Sequence, residues 1–209
     1  MRRGDASVDH IHVAELFSCF AKHETFTAEL STMARTVNRQ LTLKPQDLYL
    51  MLALVAWHGE SITYPELAAF AGLSMSEVHG ALKRVELARL LHFEAKRPTI
   101  ITPAFKEFLF HGARYAFPVT RGTMVGGLPT AYAAAPLNVL IAPSTDPPPV
   151  WPHAEGSVRG IALVPLYPTA PAAALRDPAL YENLALFDAL RCGNTREQAL
   201  AKKLFEERL

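Results

Sequence analysis

The residues best suited to chemistry are polar side chains at helical spacing between positions 76 and 84. At about 100 degrees per residue, Ser76, Gly80 and Lys83 share one arc of a helix, and His79 and Arg84 flank it. This face offers a hydroxyl, an imidazole, two cations and one position without a Cβ, which together suit phosphates and base edges in a DNA major groove. An ordinary solvated helix face has a similar composition, so the face alone leaves both interpretations open.

The element that must carry this face is a helix predicted over residues 75–89. Ser74, followed three residues later by Glu77, forms a capping box and marks its start. The opposite arc is apolar and about 100 degrees wide, which is the width of a core-facing stripe. It consists of Val78, Ala81, Leu82 and Val85.

A shorter helix is predicted just before it. Thr63 can cap this helix, Pro65 falls within its first turn, and Gly72 stands where a helix end favours a left-handed residue. Two short helices joined by a three-residue turn that contains glycine make a helix-turn-helix. A further helix, which opens at Lys44 and stops at Gly59, is predicted to support the pair from behind.

A hairpin is predicted directly after the second helix. Residues 91–93 and 99–101 are short β-prone runs, and the segment between them carries Lys96 and Arg97. A hairpin in this place is a wing, which favours DNA binding over the plain solvated face.

This stretch resembles the winged helix-turn-helix domains of bacterial transcription regulators, broadly the MarR-like kind. The likeness rests on Leu67, Ala68, Gly72 to Ser74, Ser76, Val78, Ala81 to Arg84, Ala88 to Leu91 and the hairpin. It covers roughly 60 of the 209 residues. The resemblance implies a sequence-specific DNA-binding regulator, a repressor, with recognition helix 75–89 in the major groove and wing 91–101 on the backbone. The candidate DNA-binding residues are Thr63, Ser74, Ser76, His79, Gly80, Lys83, Arg84, Lys96 and Arg97.

The whole chain has the composition of a folded cytoplasmic protein. Half of its 209 residues are hydrophobic, so a buried core is expected. The best apolar run, Leu48 to Trp57, is ten residues long, too short for a membrane span, and the N-terminus lacks the apolar region of a secretory signal. Cys19 and Cys192 stand far apart, which indicates neither a disulfide framework nor a zinc site.

Charge indicates that one copy of the motif binds DNA weakly. Residues 44–102 contain six cations and six anions. Four of the cations lie on the recognition helix or at the tip of the wing, so their distribution favours DNA although the net charge does not. We therefore expect a homodimer that reads a two-part site in double-stranded DNA.

The predicted fold is mainly α with small β content, divided into three parts. Residues 1–43 form an N-terminal helical arm, which either dimerises or packs, and residues 44–117 form the winged helix-turn-helix domain. Residues 118–209 form a mixed α/β region for dimerisation, an effector or a partner. The core stripes of the middle part lie within it, so that part is expected to fold without the C-terminal region. No metal site is predicted, because His10 and His12 point to different helix faces and no thiol or carboxylate pattern joins them to His23.

The C-terminal region gives weaker signals. Residues 121–129 are rich in glycine but lack the ending of a phosphate loop, so an ordered loop is expected. Residues 143–152 are dense in proline and predicted to be extended, and residues 158–166 are predicted to form a strand, paired with 137–141. Two capped helices predict a helical hairpin over 177–209 that serves docking or dimerisation.

No catalytic signature appears in the sequence, so neither an enzyme nor a cofactor is predicted. Two compatible roles remain. One is a transcription regulator whose C-terminal region senses a small molecule or fixes the dimer. The other is a DNA-binding antitoxin that autoregulates its operon and counteracts a partner toxin, a role suggested by a loose likeness in layout to the antitoxins of abortive-infection toxin–antitoxin pairs.

Overall fold

The fold is mainly α with small β content, as predicted. The computed structural model describes residues 42–59, 61–142 and 144–209, of which about 52% are helical and 16% are in strands. The predicted arm, with the three histidines considered for a metal, lies outside these residues except for Thr42 and Leu43. No helix in the described part is long and apolar enough to cross a membrane.

We call residues 43–117 the first half of the described chain and residues 118–209 the second half. The first half begins with three helices: α1 (Pro45–Ala56), α2 (Tyr64–Ala71) and α3 (Met75–Leu87). The predicted caps of the second and third helices are present. Thr63 and Ser74 each accept a hydrogen bond from the backbone N–H three residues on, and the Glu66 and Glu77 carboxylates accept one from the backbone N–H of the cap residue. Gly72 ends α2 in the left-handed region, with φ 64°. These local signals place a three-residue turn between α2 and α3.

Helix α3 ends at Leu87, two residues earlier than predicted. Arg89 takes φ 56°, the Leu90 N–H donates to the Val85 carbonyl at 3.1 Å, and the Arg89 N–H donates to the Glu86 carbonyl at 2.9 Å. This is a Schellman end with arginine in the place usually held by glycine. The prediction overran because no glycine marks the stop.

The predicted hairpin is present as β1 (Leu91–Glu94) and β2 (Arg97–Ile100), which pair antiparallel. Ala95 and Lys96 form the two-residue turn, both with positive φ, at 48° and 68°. Positive φ at both central residues belongs to the type I′ turn, whose twist matches that of paired strands. The turn projects Lys96 at the tip of the hairpin.

A helical run follows the hairpin and leads out of the first half. It consists of α4 (Thr102–Glu107), a π-helical segment (Phe108–Gly112) and α5 (Ala113–Ala116). The run is helical from Thr102 to Ala116, with a widened turn in its middle.

The second half contains a small sheet in which each of three strands pairs with the other two. Strand β3 (Arg121–Pro129) runs antiparallel to β4 (Pro149–Pro152) and to β5 (Val158–Leu163), and β4 and β5 pair in parallel. The prediction of a glycine-rich loop at 121–129 is therefore wrong. A Cβ at Gly127 would lie 2.1 Å from the Trp151 carbonyl oxygen, so glycine here permits close pairing of the strands.

The predicted pairing of 158–166 with 137–141 is also wrong. Leu137–Val139 is a short 3-10 helix, and another covers Ala131–Ala133. Both edges of β5 are occupied by β3 and β4, so no edge remains for a strand at 137–141. Of the proline-dense segment, Pro149–Pro152 are extended as β4 inside the sheet, where Val150 and Trp151 are buried.

The chain ends with α6 (Ala170–Ala174), α7 (Pro178–Cys192) and α8 (Thr195–Glu206). The predicted caps of the last two helices are present, with Asp177 accepting from the Leu180 N–H at 2.7 Å and a capping box at Asn194. Every residue of α7 from Asn183 to Arg191 is buried. Helix α7 is therefore a central core helix. The predicted helical hairpin is present, and its role in docking or dimerisation stays a prediction.

Helix α7 packs against α1, and the Asn183 side-chain amide donates to the Leu52 carbonyl at 3.2 Å. Residues 43–209 form one compact unit with a shared hydrophobic cluster. The core of the first half is thus not internal to it, contrary to the sequence-based expectation.

Candidate nucleic-acid interface

Helix α3 separates a buried face from an exposed polar face. Val78, Ala81, Leu82 and Val85 are each at most 1% exposed, as their spacing predicted. On the opposite side Ser76, His79 and Lys83 are exposed. At about 100 degrees per residue these three side chains fall within an arc of about 60 degrees, so they form one narrow polar strip, which we call the Ser76–Lys83 face.

Gly80 lies at the edge of this face with open space in front of it. Among the described atoms, a Cβ built at Gly80 would meet only Nη1 of Arg84 within 4 Å, at 3.3 Å. Within the described residues, no backbone outside α3 comes within 4 Å of that Cβ, so backbone packing there gives no reason for a glycine. A surface that comes close to α3 from outside would use the gap.

Arg84 is held by a carboxylate and does not extend from the face. Its Nε donates to Asp47 Oδ2 at 2.8 Å and its Nη2 donates to Oδ1 at 2.6 Å. The Asp47 side chain is 1% exposed, and its hydrogen bonds raise the pKa of the Arg84 guanidinium above its usual range. Arg84 therefore ties α3 to the start of α1, and its positive charge is largely neutralised.

Thr63 and Ser74 are exposed, but their hydroxyls serve the caps. Each hydroxyl donates at 2.7 Å to the carboxylate of its capping box, Glu66 for Thr63 and Glu77 for Ser74. The backbone N–H of Ser74 is the main cause that lowers the pKa of Glu77 to about 2, and the N–H of Thr63 likewise lowers the pKa of Glu66. Both carboxylates remain ionised at neutral pH, so the two helix starts repel phosphates.

The hairpin carries two cations, whereas the starts of α2 and α3 carry carboxylates. Lys96 and Arg97 are exposed, and like Lys83 they have no ion-pair partner within the described ranges. Three unpaired positive side chains therefore stand on the outer surface of α3 and at the tip of the hairpin.

Tyr64 connects the hairpin to the polar face, a contact that sequence reasoning missed. Its ring meets the His79 imidazole edge-on at 6.1 Å between centroids and the Phe93 ring at 6.5 Å. These contacts fix β1 beside the start of α2 and the middle of α3. A tyrosine immediately after the Thr63 cap was the available signal, but only the fold shows what it touches.

Of the predicted residues, Ser76, His79, Gly80 and Lys83 thus share one surface, and Lys96 and Arg97 occupy the hairpin. The other three, Thr63, Ser74 and Arg84, instead cap the helices or tie them together.

In the described part of the chain, no three His, Cys, Asp or Glu side chains converge as a metal ion would need. No protein-family model, curated protein or solved structure is significantly similar to this chain.

Proposed function

We propose that this chain is a winged helix-turn-helix protein that binds specific sites in double-stranded DNA as a homodimer in the cytoplasm and represses transcription. The supporting observation is the exposed Ser76–Lys83 face of a helix buried on its other side, followed at once by a hairpin with two unpaired cations. Helix α3 is the recognition helix in the major groove, and the hairpin is the wing on the phosphate backbone.

The roles of the side chains follow from their positions. Lys83 and Ser76 reach base edges, where a lysine pairs with guanine and a hydroxyl can donate or accept. His79 lies between the groove and the Tyr64 ring, and Gly80 lets the helix approach the DNA. Lys96 and Arg97 contact phosphates, which position the protein without reading sequence.

The small number of unpaired cations argues for two copies. Three positive side chains per copy support only weak binding, because each phosphate contact contributes a limited counterion-release term. Two copies on half-sites about one helical turn apart, roughly 34 Å, double the contacts and allow a bipartite site to be read.

A salt series tests the binding itself. DNA from upstream of the protein's own gene is titrated in gel shifts between about 50 and 200 mM salt, where loss of phosphate contacts weakens binding steeply. In a dimer, Lys96→Ala removes two contacts and lowers the log–log slope by about 2. Lys203→Ala on α8, an exposed lysine in the other half, is the matched control and leaves the slope unchanged. Absence of binding to every fragment of the locus at low salt would rule out the proposal.

A second comparison separates base reading from phosphate contact. Lys83→Ala lowers binding to the specific site by about 1 to 3 kcal/mol and relaxes base preference, because a base contact is lost. Arg97→Ala weakens specific and non-specific DNA by the same factor. A larger change of base preference in the wing variant than in the helix variant would reverse the two roles.

A further inference from the structure

We infer that the segment before and after α6 positions the recognition helix through a clamp formed by Tyr167, Thr169 and Arg176. The inference rests on the proposed function, since it names how the second half acts on the DNA-reading helix. All three side chains end on the last turn of α2 or on the first turn of α3.

Tyr167 holds the start of the recognition helix. Its hydroxyl donates to Oε1 of Glu77 at 2.7 Å. Nε2 of Gln46, on α1, donates to the Tyr167 hydroxyl and to the same carboxylate oxygen, at 2.9 Å each. The three groups form a closed triangle, so α3 is fixed at once to α1 and to the second half of the chain.

The Tyr167 ring is itself fixed in place. It stacks on the Tyr49 ring, with centroids 5.6 Å apart and an interplanar angle of 16°. Tyr49 is fully buried in α1, and its hydroxyl donates to the Ala71 carbonyl at 2.6 Å. The clamp is thus anchored on the buried helix α1. A shift of Tyr167 would displace both Glu77, after the turn, and the Tyr49 ring that bonds to Ala71, before it.

Thr169 and Arg176 hold the end of α2. The Thr169 hydroxyl donates to the Ala71 carbonyl and the Arg176 guanidinium donates to the Phe70 carbonyl, at 3.4 Å each. Carbonyls in the last turn of a helix lack partners within the helix, and a cation there is favoured by the helix dipole. A Cβ built at Gly72 would lie 3.2 Å from Nη2 of Arg176, so the clamp lies directly over the turn.

The clamp leaves the DNA-reading face free. At about 100 degrees per residue, Arg84 lies about 110 degrees and Glu77 about 130 degrees around α3 from the centre of the Ser76–Lys83 face. The second half therefore contacts the side of the recognition helix and fixes the tilt of the helix and its position relative to the base pairs. It does not cover the residues that face the groove. Base contacts require that register, whereas phosphate contacts from a hairpin tip tolerate a displaced helix. Loosening the clamp should lower specific binding more than non-specific binding.

The test compares two tyrosine hydroxyls. Tyr167→Phe removes the bond to Glu77 and the bond accepted from Gln46, and keeps the stacked ring. Tyr181→Phe is the matched control, because it removes a tyrosine hydroxyl whose one bond, to the Pro129 carbonyl at 2.6 Å, lies within the second half. Amide hydrogen exchange over residues 73–78 needs no DNA and reports on the clamp directly. It should rise about fivefold in Tyr167→Phe, the effect of one hydrogen bond, and stay unchanged in Tyr181→Phe.

Affinity supplies the second measurement. In Tyr167→Phe, specific binding should fall by a similar factor while non-specific binding is retained. Thr169→Val, which removes the bond to Ala71 with little change of shape, should raise exchange over residues 71–74 and serves as an independent variant. Exchange equal to wild type in both clamp variants would overturn the inference. So would an equal loss of specific and non-specific affinity. Raised exchange in a protein that binds no DNA would support the clamp and overturn the proposed function, so the two failures are distinct.

Discussion

Replacement of Asp188 should be among the most damaging single changes in the chain. This carboxylate, on α7, is 1% exposed. Its Oδ2 accepts from the Trp151 indole N–H and the Thr130 hydroxyl, at 2.7 Å each. Its Oδ1 accepts from Arg191, with Nε at 3.1 Å. One side chain thus joins α7 to β4 and to the end of β3.

The cost of Asp188→Ala can be worked from these partners. Removing one member of a buried ion pair costs about 3 to 5 kcal/mol, because the other charge is left uncompensated. The buried indole N–H of Trp151 also loses its acceptor, at about 1 to 3 kcal/mol. Arg191 still donates to the Phe117 and Val164 carbonyls at 3.4 Å, so the two costs do not add in full. We expect a loss of about 4 to 6 kcal/mol, against total stabilities of about 5 to 15 for domains of this kind.

Asp188→Asn is the milder variant, because one oxygen is retained. Its amide NH2 must face either Arg191 or the pair of Trp151 and Thr130, and all of these are donors. A loss of about 2 to 4 kcal/mol is expected from one unsatisfied contact and the unpaired arginine. Urea unfolding followed by tryptophan fluorescence measures both variants.

The matched control lies on the same helix. Glu182 pairs with Arg208, but these side chains are 33% and 25% exposed, against 2% and 3% for Asp188 and Arg191. Glu182→Ala should cost at most about 1 kcal/mol, because water screens the pair and solvates the remaining charge. Equal losses of stability in Asp188→Ala and Glu182→Ala would refute the reasoning from burial.

Three further outcomes are expected. Gly72→Ala should lower the free energy of unfolding by about 1 to 2 kcal/mol, because the φ of Gly72 is left-handed. Gly80→Ala should raise it by up to about 1 kcal/mol, because alanine favours a helix interior. Urea unfolding of the two variants measures both changes. The folded-state pKa of Glu77 is about 2, against an ordinary value of 4.5, so its contribution is full above about pH 4.5 and lost as pH falls towards 2. Glu77→Gln should therefore flatten the stability profile across that window, and an unchanged profile would contradict this assignment. A fragment of residues 43–117 should melt without cooperativity in circular dichroism, because α7 supplies part of its core, and a sharp melt would contradict the shared core.

The sequence predicted best what depends on neighbouring residues. The partners in each capping box, Thr63 with Glu66 and Ser74 with Glu77, are three positions apart, and Gly72 acts at its own position. These local signals are enough to predict the turn between α2 and α3. The division of α3 into two faces is equally local. Arg89 was missed for the same reason, since its left-handed end of α3 lacks the glycine that would have marked it.

Contacts between distant residues were beyond prediction. Arg84 and Asp47 are 37 positions apart, and Tyr167 and Glu77 are 90 apart. No spacing rule connects such pairs. Arg84 was therefore predicted to be a cation available to DNA, and no pattern in the sequence predicted the clamp. Strand β3 was missed because its glycines serve its close pairing with β4, a strand more than 20 positions further along the chain.

The closure of the β3–β4–β5 sheet limits how the second half can meet another protein. In an open sheet the outer strands present unpaired N–H and C=O groups that can recruit a strand from another chain. Here each strand pairs with both of the others, so no strand of this sheet has an edge that is free along its whole length. This favours contacts with a second copy or another partner through side chains. Val139, the last residue of the 3-10 helix Leu137–Val139, and Leu140 are 80% and 48% exposed, and they are apolar groups available for that kind of association.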